Sequence, residues 1–383
     1  MEIYIVQSGD SVFRIAREQH VSEESIIYNN QLEYPYALVI GQALLLSKEM
    51  PNTNLNPNRR LVETGGYAYP YIDRTVLTQT LPYLSKLFVF SYGFTVDGEL
   101  IPPRVDDSFM IEAARSYEVA PILTLTPLGP DGNFNNYLIS QIVNSEQKKS
   151  RLIADLVETI QQKRFEGVDI DFEYILPEDR IAFAGFVADV REAVNAIGYP
   201  VSVALAPKTS DEQRGILYEG KDYRLLGEAA DEVLLMTYEW GYTYGPPMAV
   251  APINEVRRVV EYAVTRIPPE KINLGIPNYG YDWTLPFVQG ESKARVIGNV
   301  QAVQLAAANN AEILFDELSQ SPYFTYYKDG VAHEVWFEDV RSMEAKFALV
   351  QEYGLKGMGY WQIMRLFLAN WLLLADMFRI RRV

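Results

Sequence analysis

Eight apolar, strand-like runs alternate with helical patterns along most of this chain, and this alternation is the strongest constraint on its fold. The runs cover residues 61–69, 86–94, 120–127, 167–174, 201–207, 232–239, 272–280 and 357–363. Between several of them apolar side chains recur at helical spacing, as in residues 150–164, 180–196, 254–266 and 341–353. Eight such units predict an α/β fold, a (β/α)8 TIM barrel. A doubly wound sheet is the alternative, but it normally has fewer strands, and the chain lacks a Gly-x-Gly-x-x-Gly turn.

The interval between the seventh and eighth runs is much longer than the others. It contains a helical pattern near residues 300–309 and an aromatic hairpin over residues 323–337, with Asp329 and Gly330 at the turn. We therefore expect a small α+β insertion at about residues 285–338, beside the mouth of the barrel.

The first 48 residues predict a separate βααβ unit. Residues 3–6 form the first strand, Asp10 is expected to cap the first helix and Ser22 the second, and residues 38–46 supply a turn and the closing strand. Pro and Asn are frequent in residues 51–58, as in a linker or a surface loop. The predicted division is 1–48 for the small unit, 49–59 for the linker and 60–383 for the barrel.

Composition excludes several function classes. The net charge of −16 opposes binding to nucleic acid or to an anionic membrane surface. The chain has no cysteine and only two histidines, His20 and His333, which disfavours metal sites and Ser-His-Asp chemistry. We expect no metal, no cofactor, no recognisable signal peptide and a monomeric protein. The apolar tract 366–378 is too short to span a bilayer and should pack on the barrel.

The acidic stretch 167–174 predicts the chemistry. Asp169, Asp171 and Glu173 alternate with apolar residues, so in a strand all three side chains share one face. Carboxylates crowded in this way repel one another and raise one another's pKa values, which suits acid catalysis near neutral pH. A solvated edge strand is the alternative, but the apolar opposite face favours a buried strand.

Functional groups of TIM barrels lie at the carboxyl ends of the strands. That rule adds Tyr238 and Glu239 from strand six, Asn278 and Tyr279 from strand seven, and Trp361 from strand eight. Aromatic rings stack on the apolar faces of sugars, and carboxylates and amides bond their hydroxyl groups. The set therefore predicts a carbohydrate cleft.

Residues 4–16, with Asn29, Asn30 and the run 40–44, resemble a LysM module. LysM modules bind glycans that contain N-acetylglucosamine, such as peptidoglycan and chitin. The resemblance therefore implies a glycan partner and an anchoring function for the N-terminal unit.

Four ordered motifs of the barrel resemble glycoside hydrolase family 18. Residues 166–173 resemble the family signature Asp-Gly-x-Asp-x-Asp-x-Glu, and residues 236–239, 275–280 and 359–361 resemble three further motifs. Three positions depart from the usual pattern. Glu166 replaces the first Asp, Glu239 stands where Asp is commoner, and Thr126 lies where many members have a Ser-x-Gly-Gly stretch.

The resemblance implies hydrolysis with retention, assisted by the 2-acetamido group of the substrate. Glu173 would be the acid and then the base, and Asp171 would bond the acetamido N–H. Tyr238 would hold the acetamido oxygen, and Asp169 would tune Asp171. The expected substrate-binding residues are Trp361, Glu239, Met236, Asn278 and Tyr279.

Longer stretches, such as residues 204–209, 237–242, 279–283 and 335–339, are similar to spore cortex-lytic glucosaminidases of endospore-forming bacteria. This similarity implies cleavage of cortex peptidoglycan during germination and a location in the spore. A chitinase or chitooligosaccharide hydrolase is the alternative, because the catalytic residues would be the same. A glycan-binding spore-coat protein with weak catalysis is the second alternative.

Overall fold

The computed structural model describes residues 1–47, 59–129, 132 and 134–382. The predicted linker, 49–59, lies outside the described residues except for Arg59. None of the helices in the described ranges combines the length and the apolar character that a membrane-spanning helix needs.

The N-terminal unit has the predicted βααβ order, β1 (Glu2–Ile5), α1 (Val12–Gln19), α2 (Glu23–Asn29) and β2 (Ala43–Leu46). β1 and β2 pair antiparallel, and Ser22 caps α2 as predicted. The expectation for Asp10 was wrong, since Ser11 accepts the hydrogen bond that caps α1. The Asp10 carboxylate accepts hydrogen bonds from Tyr4 and from the Gln7 backbone N–H instead, so it fixes the turn before the helix.

The remaining chain forms a closed barrel of eight parallel strands with helices around it. In chain order its elements are β3 (Leu61–Ala68), α3 (Arg74–Thr80), β4 (Lys86–Phe94), β5 (Leu100–Ile101), α4 (Ser108–Ser116), β6 (Ala120–Leu125), α5 (Tyr137–Val143), α6 (Glu146–Lys163), β7 (Val168–Ile170), α7 (Arg180–Asn195), β8 (Val201–Leu205), α8 (Tyr223–Ala229), β9 (Glu232–Leu235), α9 (Ile253–Ala263) and β10 (Ile272–Pro277). They are followed by β11 (Gly280–Thr284), β12 (Arg295–Ile297), α10 (Asn299–Ala308), β13 (Leu314–Asp316), β14 (Ser321–Lys328), β15 (Val331–Trp336), α11 (Val340–Glu352), β16 (Gly357–Trp361), α12 (Leu368–Met377) and β17 (Arg379–Ile380).

The barrel strands pair in the order β3, β4, β6, β7, β8, β9, β10 and β16, and β16 returns to pair with β3. This closure excludes the doubly wound sheet, which has open edges. Aromatic and aliphatic side chains fill the interior, namely Tyr67, Phe88, Phe90, Ala120, Ile122 and Leu234. The barrel is thus a packed core rather than a pore.

Several strands end earlier than the sequence predicts, and three of them, β7, β9 and β10, end just before candidate site residues. β10 ends at Pro277, so Asn278 and Tyr279 follow it. β7 ends at Ile170 and β9 at Leu235, so Asp171, Glu173 and Tyr238 lie on the loops that follow. The backbone N–H of Asp171 still donates to Leu125 O at 2.9 Å, which extends the pairing with β6 by one hydrogen bond. The site is therefore built where the ladder ends and the chain turns outward.

The long interval before β16 forms a second, antiparallel sheet in the order β12, β11, β15, β14 and β13. The predicted hairpin joins β14 to β15, and Asp329 and Gly330 both have positive φ, as its turn requires. Its strand β11, which lies between β12 and β15, begins at Gly280 shortly after β10 ends at Pro277, so this strand starts at the barrel mouth.

The N-terminal unit packs on the barrel side that bears α11 and α12. Leu45 belongs to the large hydrophobic core of the barrel, and Ile313 N donates to Ile40 O at 2.9 Å. Gln31 accepts a hydrogen bond from the backbone N–H of Leu368 at 2.7 Å. Helix α12 is largely buried, as the apolar tract 366–378 predicts.

Candidate active site

The three acidic side chains of the stretch 167–174 meet inside the mouth of the barrel. Asp169 is fully buried on β7, Asp171 is 6% exposed and Glu173 is half-buried on the following loop. Asp171 is electrostatically coupled to both of the others. The structure therefore brings together the carboxylates that the sequence places on one face.

Asp169 is held by hydrogen bonds from the adjacent strand β8 and from β3, which is not adjacent to β7 in the barrel. Ser202, its register partner on β8, donates to Oδ1 at 2.6 Å, and Tyr67 on β3 donates to Oδ2 at 2.9 Å. Burial raises the pKa of Asp169 to about 6, although both hydrogen bonds lower it. Asp169 is thus a fixed carboxyl at the base of the site.

Asp171 and Glu173 have raised pKa values, chiefly because they are buried. Burial is the largest cause for Asp171, whose pKa the charges of Glu173 and Asp169 raise further, to well above the ordinary value. Burial also raises the pKa of Glu173, and nearby Lys221 opposes the rise in both. The predicted upward shift is present, but desolvation contributes more than the mutual repulsion that the sequence suggested.

One oxygen of Asp171 has no partner. Its Oδ1 is buried and accepts no hydrogen bond from any described residue. A buried acceptor without a partner costs about 1–3 kcal/mol, so this atom is set up to receive a donor from a ligand.

Tyr238 lies beside the carboxylates at the end of β9. Burial raises its pKa well above the ordinary value, and the charges of Asp171 and Glu173 raise it further. Gly275 on β10 makes room for the ring, since a Cβ there would lie 2.8 Å from Cε1 of Tyr238. The tyrosine therefore presents a neutral hydroxyl group close to both carboxyls.

Trp361 ends β16 and forms an aromatic floor with three other rings. Its ring centroid lies 4.9 Å from that of Phe90, 5.8 Å from that of Tyr67 and 6.2 Å from that of Tyr69. These contacts leave the indole half-buried, so part of it remains open to the mouth. An indole fixed in this way offers a flat apolar surface for a sugar ring.

Glu239 lies at the mouth in a left-handed backbone conformation, with φ of 68°. Its carboxylate accepts hydrogen bonds from the hydroxyl groups of Tyr279 and Tyr281, the latter at 2.9 Å. Although the residue is exposed, surrounding protein atoms desolvate the carboxylate and raise its pKa, and the two tyrosines lower it. The extra sheet, through Tyr281, thus orients an acidic group at the rim.

The remaining predicted residues differ in their access to the mouth. Asn278 is buried, and its Nδ2 donates to Gln362 O at 3.1 Å and to Arg365 O at 2.9 Å, which fixes the loop after Trp361. Tyr279 is buried, and its hydroxyl group donates to the Glu239 carboxylate. Met236 is half-buried directly after β9.

A groove leads away from the aromatic floor along the loops after β3, β4 and β6. It has a volume of about 510 Å³ and contains Tyr69 and Phe90 at one end. Tyr71 stacks on Tyr69 with a centroid distance of 5.2 Å, and Tyr71 and Phe134 are exposed along the groove. Exposed rings in a groove that continues from the acids suit an extended carbohydrate chain.

Two departures from the family pattern lie outside the catalytic centre. Glu166 forms an ion pair with Arg115 on the outer side of the barrel, before β7 begins. Thr126 is buried, and its hydroxyl lies 2.8 Å from that of Ser91. Both residues therefore support the framework.

Sequence reasoning missed Tyr67, Ser202, Tyr281 and Lys221. Inward alternation along β3 and β8 could have identified Tyr67 and Ser202. Lys221 lies in a loop before α8 and carries no local signal.

Sequence and structure comparisons relate this chain to known proteins. The sequence model of glycosyl hydrolases family 18 matches residues 126–365. The chain belongs to this family. As a family 18 member it is a glycoside hydrolase, and a LysM domain matches residues 4–47. The two domains imply binding of a glycan that contains N-acetylglucosamine, such as peptidoglycan.

Two of the similar proteins match this chain over almost its whole length, and a third matches most of it. The chain is 38% identical to the cortical fragment-lytic enzyme of Bacillus subtilis, with 99% of each protein covered. The crystal structure of the spore cortex-lytic enzyme SleL of Bacillus megaterium matches with a TM-score of 0.92 and 34% identity, covering 100% of this chain and 99% of that one. A chitinase from Chromobacterium violaceum matches with a TM-score of 0.76 and 26% identity, covering 82% of this chain and 98% of that one.

Proposed function

We propose that this glycoside hydrolase is an N-acetylglucosaminidase that degrades spore cortex peptidoglycan during germination, with retention and with assistance from the substrate's 2-acetamido group. The observation that carries the proposal is the unpartnered, buried Oδ1 of Asp171 beside Glu173 and Tyr238. An acetamido group supplies what this pocket lacks, because its N–H can donate to Asp171 while its oxygen accepts from Tyr238.

The first step breaks the glycosidic bond. Glu173 donates its proton to the glycosidic oxygen as the bond to the anomeric carbon breaks, and the acetamido oxygen forms a bond to that carbon from the opposite face. The raised pKa of Glu173 keeps the proton available for this step. The leaving glycan departs with the proton, and an oxazolinium ion remains.

The intermediate needs a negative neighbour, and Asp171 provides it. Its Oδ1 accepts the acetamido N–H, so charge forms next to a carboxylate in a site that is largely shielded from water. Asp169 fixes the base of the cluster, and Tyr238 holds the acetamido oxygen in line with the anomeric carbon. Ionised Glu173 then takes a proton from water, whose oxygen attacks the anomeric carbon and opens the ring.

The similarity to cortical fragment-lytic enzymes supports cortex glycan as the substrate, and it supports a spore location. The aromatic floor and groove fit a polymer with several sugars bound. The LysM domain would hold the enzyme on its insoluble substrate and raise the local concentration of cleavage sites. We propose that the protein acts as a monomer.

Product analysis tests the proposal. Purified protein is incubated separately with spore cortex fragments, vegetative peptidoglycan and chitin oligomers, and the products are analysed by mass spectrometry. New N-acetylglucosamine reducing ends, foremost from cortex, are expected. Release chiefly from chitin oligomers would establish the chitinase alternative, and binding without any product would establish the glycan-binding alternative.

A further inference from the structure

A fully buried lysine acts through its charge on the catalytic acids and has no part in the proposed chemical steps. Lys221 belongs to the loop between β8 and α8, and its ammonium donates to Ala204 O at 2.8 Å. An ammonium group without water is costly to bury, so a nearby negative charge is needed to stabilise it. The carboxylates of Asp171, Glu173 and Asp169 provide that charge.

The loop places this lysine firmly. Lys208 Nζ donates to the carbonyl oxygen of Lys221 at 2.9 Å. On the other side, Gly220 packs so closely against Ile175 that a Cβ at position 220 would lie 2.1 Å from Ile175 O. Ile175 follows Glu173 by two residues, so the loop that carries the lysine is built against the loop that carries the acid.

The charges around Lys221 come from four elements. Strand β7 and its loop contribute the three carboxyls, and Lys208 contributes a second ammonium group that bonds the Lys221 backbone. Three further groups surround the carboxyls. Tyr67 donates a hydrogen bond to Asp169, and the charge of Glu239 interacts with Glu173 and with the neighbouring Tyr238 hydroxyl. Lys221 is thus a buried cation whose charge acts on both Asp171 and Glu173.

We propose that Lys221 is a positioning residue that balances the charge of the catalytic carboxyls, so that the Asp171–Glu173 pair holds one proton and one negative charge. Without the cation the pair would take up its second proton at a higher pH, and the carboxylate that stabilises the oxazolinium ion would be lost over that range. With one net negative charge, the pair can supply the proton for bond cleavage and still oppose the positive charge that forms. This role rests on the proposed function.

The expected effect has a definite sign. Lys221 lowers the pKa of both Asp171 and Glu173, so its removal raises both values. In Lys221→Met the acidic limb of the pH profile of kcat/KM should therefore move to higher pH by about one unit, with a roughly tenfold loss of rate on that limb. Lys221→Arg, which keeps the charge, should restore the limb toward the wild-type position.

Lys346→Met is the matched control. It also removes a fully buried ammonium group, but this group pairs with Glu338 at 2.8 Å, whereas the charges that act on Asp171 and Glu173 come from Lys221 and from the three carboxyls themselves. The variant should lower stability and leave the acidic limb in place. An unmoved limb in Lys221→Met, or an equal movement in Lys346→Met, would overturn the proposal.

A second measurement needs neither activity nor a Lys221 variant. The pKa of Lys221 is lowered to about 8 by burial, and Asp171 and Glu173 raise it against this effect. The Nζ titration, followed by nitrogen NMR in protein labelled at lysine, should therefore move to lower pH in Glu173→Gln than in wild type. Equal titrations would refute the coupling. A wild-type protein that shows this coupling but cleaves no glycan would refute the proposed function and leave the charge balance standing.

Discussion

Replacing Gly41 by alanine should loosen the docking of the LysM domain on the barrel. Gly41 has φ of +83°, and a Cβ at this position would lie 1.8 Å from the carbonyl oxygen of Ile313. The same two chain segments are held together by the hydrogen bond from Ile313 N to Ile40 O at 2.9 Å, and Arg341 Nη2 donates to Gly41 O at 3.2 Å. The new methyl group therefore cannot be accommodated unless these backbones separate.

The magnitude follows from two contributions. A left-handed backbone costs a non-glycine residue about 1–2 kcal/mol. Separation of the backbones adds the loss of one or two hydrogen bonds, each about 1 kcal/mol. We expect Gly41→Ala to lower the free energy of unfolding by about 2–4 kcal/mol.

Gly9→Ala is the matched control, because it has the same strain without the contact. Gly9 has φ of +84° in the same domain, and the nearest atom to a Cβ there is Arg14 Nη1 at 3.9 Å. Its cost should stay near the strain of about 1–2 kcal/mol. Urea unfolding of the full chain, with the slope compared between variants, measures both values. Equal losses in the two variants would refute the inference that docking through Gly41 contributes stability.

Three further predictions test the site and the anchor. Glu173→Gln should lower the turnover number by roughly 10²–10⁴-fold with glycan binding retained, whereas the exposed Glu178→Gln should leave both unchanged; near wild-type hydrolysis by the first variant would remove the acid assignment. Because the pKa of Asp169 is raised from 3.8 to about 6 in the fold, its stabilising contribution is complete below pH 3.8 and is lost as pH rises through 6. Between pH 3 and pH 7 the free energy of unfolding of wild type should therefore fall by about 3 kcal/mol more than that of Asp169→Asn. Urea unfolding at several pH values measures both, and the same pH dependence in the two proteins would contradict the prediction. Tyr34 is 86% exposed on the LysM domain, so Tyr34→Ser in the Glu173→Gln chain should weaken sedimentation with insoluble peptidoglycan by about 2–10-fold. Tyr327→Ser changes a tyrosine that is 75% exposed on the extra sheet, and it should leave sedimentation unchanged. Equal sedimentation of the two tyrosine variants would exclude Tyr34 from the glycan-binding surface.

Much of the fold could be predicted from the sequence because it depends on local patterns. Strand and helix periodicity depends on side chains two to four residues apart, so the eight barrel strands and the turn at Asp329 and Gly330 are visible in the sequence. The acidic stretch 167–174 is equally local, and the barrel rule then gathers Tyr238 and Trp361 from distant strands. The LysM and family 18 motifs were visible for the same reason.

The sequence by itself thus determined the order of elements, the barrel class and the catalytic stretch. Only the tertiary structure decided that burial, more than repulsion, raises the pKa values of Asp171 and Glu173, because desolvation depends on atoms from several strands. It also decided that Lys221 is buried where its charge acts on those acids and that Gly41 packs on Ile313. Both contacts join residues far apart in the chain, and such contacts leave no periodic trace in the sequence, since they arise only when the closed barrel brings its loops and the N-terminal domain together.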